Sequence, residues 1–287
     1  MRSNASRRDL LKIAGLGTIA AVSGRTFANT RPVLTAPAPL KLSYKLGLAS
    51  YTTRNLDLEK TIDIAKRLKL EVISLKPDFH LPMTLSAEEQ KAVAKKVRDS
   101  GLDFYACGVI YMKTEDEVKK TFEFAKNIDV CLIVGVPNPE LLSLTEKMVK
   151  QYDIAFGIHN HGPTDKLYPT PSSVYQRIKD RDKRIGICFD IGHTQRCGID
   201  PCEEIIKFAD RIADFHLKDV TSSEAKGETI EMGRGVVDVI KIIRTLEKIG
   251  YYKNASFEFE KDPENPLPGL AETVGYLRGV IRGLQVS

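Results

Sequence analysis

The feature that most restricts the fold is a regular alternation of short apolar runs with longer amphipathic segments, which begins near residue 42. Eight runs are apolar and short enough to be strands: 45–51, 72–76, 103–111, 130–136, 154–161, 185–190, 212–218 and 255–260. Other segments space their apolar residues as a helix does: 57–69, 86–99, 114–127, 140–150, 171–180, 201–210, 236–249 and 268–284. Eight units of strand and helix, at roughly 30 residues each, predict a (β/α)8 TIM barrel, in the α/β class, as a single domain over residues 42–287.

A doubly wound open sheet is the alternative that this alternation allows. That fold normally places a glycine-rich, phosphate-binding loop after its first strand. Here the first strand runs into LASYTTRN at residues 48–55, which contains no glycine. Because no break in composition divides the segment either, the barrel is the preferred prediction.

The N-terminus resembles an export signal more than part of a barrel. The stretch SRRDLLK at residues 6–12 resembles the twin-arginine motif, and TFA at 26–28 offers small residues for a signal peptidase. The apolar run between them is too short to span a bilayer. An amphipathic first helix is the alternative. We expect residues 1–28 to be a twin-arginine signal peptide, residues 29–41 a linker rich in Pro and Ala, and the mature protein to be periplasmic or extracellular.

The charge of the chain argues against polyanionic partners. The whole sequence has 43 basic and 38 acidic residues, and residues 1–28 contribute five basic residues and one acidic residue. Removing them leaves 38 basic and 37 acidic residues, a net charge of +1. A nearly neutral protein has no general attraction to nucleic acid or to an anionic membrane. We therefore expect neither as a partner of the mature form.

The last predicted strand shows which side chains point into the barrel. Because successive side chains of a strand point to opposite faces, Phe257 and Phe259 share one face, while Glu258 and Glu260 share the other. The phenylalanines belong beneath the helices, so both glutamates should point inward. The same alternation on the fifth, sixth and seventh strands points these polar residues inward: His159, His161, Asp190, Asp214, His216 and Lys218.

Four of these side chains form a ligand set for a metal. His159, Asp190, His216 and Glu258 come from consecutive strands and should meet at the catalytic mouth of the barrel. Two imidazoles and two carboxylates suit a divalent ion such as Mn, Co, Zn or Fe. A single histidine on a strand is more often structural. However, all five histidines of the chain fall at this rim, including His80, His161 and His193.

Three motifs in order carry a resemblance to a known family. FDIGH, FHLKD and SFEFE resemble the xylose-isomerase-like TIM barrel superfamily, the sugar phosphate isomerase/epimerase group, from about residue 42 onward. LKPDFHLP, with Lys76 and His80, and MGRGVVD, with Arg234, resemble one branch of that group. The resemblance implies that Asp190, His216 and Glu258 bind the metal and that His193 contacts the substrate.

One position departs from the family pattern. Isomerases and epimerases of this family usually carry a glutamate where this chain has His159, and that glutamate is one of the two bases that act on opposite faces of a carbon. With His159 as a metal ligand, Glu258 is the remaining obvious carboxylate base. A reaction that needs only one carboxylate base, such as elimination, is therefore a close alternative to isomerisation or epimerisation.

These observations predict a divalent-metal enzyme that acts on a sugar or polyol as an isomerase or epimerase. Proton removal next to a carbonyl by Glu258 or His161 would give an enediolate that the metal, Lys218 or Lys76 stabilises. A dehydratase or lyase, with Lys76 as acid, is the alternative, and a non-catalytic sugar-binding barrel or an apurinic endonuclease is less favoured. The predicted substrate contacts are His80, His193, Lys218, Glu260 and Arg234. A plain turn is the alternative for Arg234, and a homo-oligomer is possible.

Overall fold

Each predicted apolar run contains one strand of a closed parallel barrel in the computed structural model, which describes residues 43–285. The strands are β1 Lys45–Ala49, β2 Val72–Leu75, β3 Asp103–Met112, β4 Leu132–Pro137, β5 Ala155–His159, β6 Ile185–Asp190, β7 Ile212–Leu217 and β8 Asn254–Phe257. They pair in the order β1-β8-β7-β6-β5-β4-β3-β2, and β1 pairs with β2 to close the ring. The predicted TIM barrel is therefore confirmed, whereas the predicted signal peptide and linker lie outside the described residues.

Helices surround the barrel in the predicted places, with two short additions. They are α1 Leu58–Arg67, α2 Pro77–His80, α3 Ala87–Asp99, α4 Glu115–Asn127, α5 Leu142–Tyr152, α6 Pro171–Ile178, α7 Ile191–Arg196, α8 Pro201–Lys207, α9 Val239–Lys248 and α10 Leu267–Leu284. Short 3-10 turns lie at Ser50–Thr53, Pro139–Leu141 and Ala209–Arg211. No helix within residues 43–285 is both long enough and apolar enough to cross a membrane.

Polar residues next to the helix ends explain where several helices begin. Ser86 and Glu89 form a reciprocal capping box at the start of α3, so two backbone N–H groups that lack a partner inside the helix are satisfied. Asp200 caps α8 in a similar way, and Pro201 takes the first helical position, where its missing N–H costs nothing. Both starts agree with the sequence-based expectation.

The outward faces of the strands form the apolar layer between the sheet and the helices. Phe189 and Phe215 stack at 5.6 Å between ring centroids, and both are fully buried. Phe257 and Phe259 are buried as well, as the alternation predicts. Burying a phenylalanine contributes about 1.5–3 kcal/mol to folding. This layer fixes the strand rotation, and the polar residues between the phenylalanines consequently point into the barrel.

Five of the eight strands, β1, β2, β5, β7 and β8, end one to three residues before the apolar runs that predict them. β8 ends at Phe257, so Glu258 and Glu260 lie just beyond it, and β7 likewise ends before Lys218. After β7, Asp219–Val220 pairs with Thr229–Ile230 in a short antiparallel ribbon. The ribbon and the short helices α2 and α7 were missed, because segments of two to six residues show no hydrophobic period.

Candidate metal and active site

Four buried side chains converge at the C-terminal ends of β5, β6, β7 and β8. In the cluster of His159, Asp190, His216 and Glu258, one possible ligand atom of each residue lies within 4.8 Å of the other three. All four residues are at most 4% exposed. The strand alternation that the sequence predicts therefore brings the four proposed metal ligands together.

Several polar atoms of this cluster have no hydrogen-bond partner. Both ring nitrogens of His159, both of His216 and Oδ2 of Asp190 are buried without a hydrogen bond, although the Lys218 ammonium lies 3.1 Å from Oδ2. Nε2 of His159 lies 3.7 Å from Asp190 Oδ2 and 3.8 Å from Glu258 Oε2, too far for a hydrogen bond. Buried polar atoms are rarely left without a partner. A cation bound between the four residues would satisfy the ligand atoms that face it, so the residues present fit a divalent metal.

The backbone of α7 holds the Asp190 carboxylate in place. Oδ1 of Asp190 accepts a hydrogen bond of 2.7 Å from the backbone N–H of His193, which caps the helix. Oδ2 is then left to face the cluster. Burial by itself would raise the pKa of Asp190, but Lys218 and the neighbouring imidazoles outweigh that effect and lower the pKa. The carboxylate is therefore ionised, as a metal ligand must be.

Lys218 reaches into the same cluster from the end of β7. Its ammonium donates hydrogen bonds to Glu258, at 2.8 Å, and to Glu260, and it lies 3.1 Å from Asp190 Oδ2. Burial would lower the pKa of Lys218, but these three carboxylates raise it, so the amine stays charged. A Cβ on Gly192 would lie 2.6 Å from Lys218 Cγ, so this close approach requires a glycine at the start of α7.

Burial lowers the pKa of His159 to about 4, although nearby carboxylates act in the opposite direction. The imidazole is therefore neutral at physiological pH. A neutral imidazole has a free lone pair and can bind a metal ion. The histidine that replaces the family's usual glutamate thus has the protonation state that a ligand needs.

A cavity of about 140 Å³ adjoins the cluster at Glu258. Its lining comprises Tyr51, Lys76, Val109, Tyr111, His161, Glu258 and Glu260. The three residues predicted to be catalytic, Glu258, His161 and Lys76, therefore share one cavity. Lys76 donates a 2.6 Å hydrogen bond to the carbonyl of Val109 and pairs with Asp78 at 2.9 Å.

Tyr111 and His161 form a hydrogen-bonded pair on the cavity wall. The phenol oxygen lies 2.5 Å from His161 Nδ1. Burial raises the pKa of Tyr111 to about 12, so the phenol keeps its proton, and we assign the phenol as the donor to Nδ1. In the neutral ring Nε2 then carries the hydrogen. Sequence reasoning missed Tyr111; its place near the end of β3 was the available signal.

Other predicted substrate contacts divide into two groups. His193 Nε2 lies 3.2 Å from Lys218 Nζ, so His193 is part of the cluster's surroundings, as are Lys218 and Glu260. His80 and Arg234 are not brought to the cavity, contrary to expectation.

The positions of those two residues have simple physical reasons. The ring of His80 turns into the protein and contacts Thr61 Oγ1 at 3.1 Å and the carbonyl of Thr53 at 3.2 Å, which ties α2 to the start of α1. Arg234 lies on the surface and pairs with Glu272 of α10 through two nitrogens. Arg234 thus follows the alternative of a plain turn.

Comparison with protein families agrees with this geometry. The model of the xylose isomerase-like TIM barrel matches residues 57–280, which is most of the chain. The chain belongs to the xylose isomerase-like TIM barrel family. A curated relative, the rhizopine catabolism protein MocC of Rhizobium meliloti, is 28% identical over 152 residues, 48% of this chain and 46% of MocC. The chain spans less than half the length of the curated relatives it matches.

Solved structures share the fold at low identity. An IOLI protein with a bound zinc atom superposes with a TM-score of 0.70 at 16% identity, covering 85% of this chain and 99% of that one. An L-ribulose 3-epimerase superposes with a TM-score of 0.66 at 15% identity, covering 84% of this chain and 95% of that one. A probable 3-DHS dehydratase, AsbF of Bacillus anthracis, superposes with a TM-score of 0.67 at 15% identity, covering 82% of this chain and 98% of that one. At such identities the likeness shows the fold alone.

Asn160 joins two parts of this xylose isomerase-like site, a role that sequence reasoning missed. Its side-chain oxygen accepts from the Asp190 N–H at 3.0 Å, and its amide donates to the Asp190 carbonyl and to Thr194, each at 3.2 Å. Asn160, which lies between the two histidines of the stretch HNHG at residues 159–162, therefore ties the end of β5 to the start of α7. Gly162 completes the stretch with φ +88°, and a Cβ there would meet the ring of His193 at 3.2 Å.

Asp219 links two of the motifs that carry the family resemblance. Its carboxylate accepts four backbone N–H bonds, from Val220, Gly233, Gly235 and Val237. A Cβ on Gly235 would lie 2.2 Å from Asp219 Oδ1, so the backbone reaches the carboxylate only with glycine. The aspartate that ends FHLKD thus organises the MGRGVVD loop.

Proposed function

We propose that this chain is a divalent-metal-dependent enzyme that removes a proton next to the carbonyl of a sugar or polyol derivative and acts as an isomerase or epimerase. The observation that carries the proposal is the buried cluster of His159, Asp190, His216 and Glu258, with ligand atoms that lack a hydrogen bond, beside the cavity. A divalent metal held there would supply a Lewis acid that polarises a substrate carbonyl.

Glu258 is the proposed base because it belongs to the cluster and also lines the cavity. Burial would raise its pKa, but Lys218 and His216 outweigh burial and hold the pKa well below the ordinary range. The carboxylate is therefore ionised, which is the protonation state that a base needs. Lys218 contacts Glu258, and its proposed role is to stabilise negative charge that develops on the substrate.

The rest of the cavity wall supplies groups that return the proton. His161, with its Nδ1 occupied by Tyr111, has the hydrogen on Nε2 and suits proton donation. Lys76 lies on the same wall. Return of the proton to the neighbouring carbon gives isomerisation, and return from the other face gives epimerisation.

One observation favours elimination as a second candidate. Both carboxylates that line the cavity, Glu258 and Glu260, follow β8 and so approach a substrate from one side. Elimination needs one base and one acid, and Lys76 or His161 would then protonate a leaving hydroxyl. Structural neighbours bear the names of an epimerase and of a dehydratase, so the fold accommodates both kinds of protein.

Proton NMR in D2O with metal-loaded protein separates the two reactions. On a panel of keto sugars and aldoses, deuterium at the α-carbon without loss of water supports isomerisation or epimerisation. An unsaturated product supports elimination. The Glu258→Gln variant should lose activity by at least about 100-fold, the lower end of what general base catalysis contributes. Full turnover by that variant would show that Glu258 is not the base.

A further inference from the structure

The cavity that adjoins the cluster at Glu258 encloses only part of a substrate larger than one sugar ring. Its volume is about 140 Å³. Pockets that bury a whole drug-sized ligand usually measure about 300 Å³ or more. A ligand that reaches Glu258 with one ring therefore leaves any second ring at the mouth of the cavity.

The mouth carries three aromatic side chains, Tyr51, Phe79 and Tyr111, which we call the aromatic rim. Tyr51 and Tyr111 line the cavity, and Phe79 extends this surface outward, with its ring centroid 5.9 Å from that of Tyr51. Phe79 is 42% exposed and Tyr111 is 43% exposed. Large apolar surface that is exposed beside a pocket typically marks a binding surface.

Neighbouring charged groups contact the two tyrosines of the rim. The guanidinium of Arg54 lies 4.6 Å from the ring centroid of Tyr51 and donates hydrogen bonds to the carbonyls of Tyr51 and Glu260. The ammonium of Lys76 lies 5.9 Å from the ring centroid of Tyr111. A surface that is already ordered loses little conformational freedom when a ligand binds.

The other route out of the cavity is less suitable for an uncharged ring. A second cavity of about 360 Å³ lies beyond Lys218 and Glu260 and is lined by charged residues that include Arg196, Glu228 and Lys261. Glu260 lines both cavities, and Lys218, to which it is hydrogen-bonded, lines the second. The aromatic rim, in contrast, is continuous with the lining of the catalytic cavity.

We infer that the aromatic rim binds a second, uncharged ring of the substrate, so that the substrate class is a glycoside whose first ring carries a carbonyl group, and not a free monosaccharide. This inference rests on the proposed function, since it takes the first ring to be the one that reacts at Glu258. The flat rings of Tyr51, Phe79 and Tyr111 suit the face of an aryl group or the apolar face of a sugar.

Calorimetric titration of the metal-loaded protein with matched glycosides tests the inference. The probes are the methyl and phenyl pyranosides of glucose, galactose, mannose and xylose. At least one phenyl glycoside should bind about three- to tenfold more tightly than its methyl partner, the range expected for one aromatic contact. Phe79→Ala should reduce this ratio to about one, and Phe79→Leu should give an intermediate ratio. A melting curve checks the fold of each variant.

Two further variants make the test selective. Tyr252→Ala removes an aromatic side chain that is 70% exposed and borders a different cavity, and should leave the ratio unchanged. Thr229→Trp fills the cavity beyond Lys218. Equal affinity for every pair, no binding of any phenyl glycoside, or a preference that only Thr229→Trp abolishes would overturn the inference.

The deuterium-exchange assay keeps the two proposals apart. Exchange without a phenyl preference would contradict the aromatic subsite and leave the proposed function standing. A phenyl preference that Phe79→Ala abolishes, in a protein that binds no metal and catalyses no exchange, would contradict the proposed function and leave the subsite standing.

Discussion

At the residue scale, small polar contacts decide what each side chain of the site can do. Tyr111 fixes the tautomer of His161, and the N–H of His193 fixes the Asp190 carboxylate. Asn160, between the two histidines of HNHG, joins the strand of one ligand to the strand of another. The chemistry of the cavity therefore depends on residues that bind no metal themselves.

Tyr111→Phe removes the hydroxyl that donates to His161. We expect the neutral ring of His161 to lose its preference for a hydrogen on Nε2, and turnover to fall about 10- to 100-fold if His161 transfers a proton. Nitrogen-15 NMR reports the tautomer directly, and the chain has only five histidines to assign. An unchanged His161 spectrum would refute this role, and Tyr252→Phe is the matched control.

Asn160→Ala removes three hydrogen bonds from a fully buried position. We expect the free energy of unfolding in urea to fall by about 2–3 kcal/mol, since buried backbone groups of Asp190 lose their partner. Asn127→Ala is the control, because that side chain donates a single hydrogen bond, to Gln90, and should cost about 1 kcal/mol or less. Equal losses in the two variants would contradict the linking role.

At the element scale, the loops that follow β5, β6, β7 and β8 build the site on a rigid ring of strands. The loop after β7 illustrates how: Asp219 gathers four backbone N–H groups and so folds the following segment back toward the barrel. Its neighbour Lys218 reaches the cluster of proposed metal ligands. Two consecutive residues thus have separate roles: Lys218 belongs to the site, and Asp219 holds the loop that follows β7.

Asp219→Ala leaves those four N–H groups without their shared acceptor. We expect a loss of about 3 kcal/mol in the free energy of unfolding, because hydrogen bonds to a charged group are among the stronger ones. Asp200→Ala removes a helix cap from α8 and an ion pair with Lys241 near the surface, and should cost about 1–2 kcal/mol. If Asp219→Ala cost no more than Asp200→Ala, the anchoring role would be wrong.

The parts of the structure that the sequence predicts are those with a long-range periodic signal. Strand alternation is enough to place His159, Asp190, His216 and Glu258 at one mouth. Each of these residues lies on the strand face opposite the apolar side chains, and the sequence shows that face directly. His80 was misplaced because it lies on α2, a four-residue helix whose start turns the ring toward Thr61. Such a turn depends on tertiary contacts and leaves no period in the sequence.

At the scale of the whole molecule, the sequence that precedes the barrel resembles an export signal. The stretch at residues 6–12 predicts export through the twin-arginine route, which carries proteins that have already folded. A protein exported in this way would bind its metal before it leaves the cytoplasm. Export and location remain predictions from the sequence.

Arg7→Lys combined with Arg8→Lys should block that export. In a bacterial host with the twin-arginine system, we expect the double variant to accumulate in the cytoplasm uncleaved, while the wild type appears in the periplasm about 28 residues shorter if cleavage follows TFA. Arg25→Lys, a conservative change outside the motif, is the control and should be exported normally. Export of the double variant at the wild-type rate would rule out this signal.

The central claim, that the buried cluster at the barrel mouth binds one divalent metal, is tested most directly by metal content. The protein is dialysed in turn against Zn²⁺, Mn²⁺, Co²⁺ and Fe²⁺ and measured by mass spectrometry of the metals, with His159→Ala, Asp190→Asn and the non-ligand control His161→Ala in parallel. We predict about one equivalent of at least one metal in the wild type and in His161→Ala, and a higher melting temperature when that metal binds. We predict little or no metal in the two ligand variants. A wild type that holds none of these metals, or ligand variants that hold as much as the wild type, would contradict it.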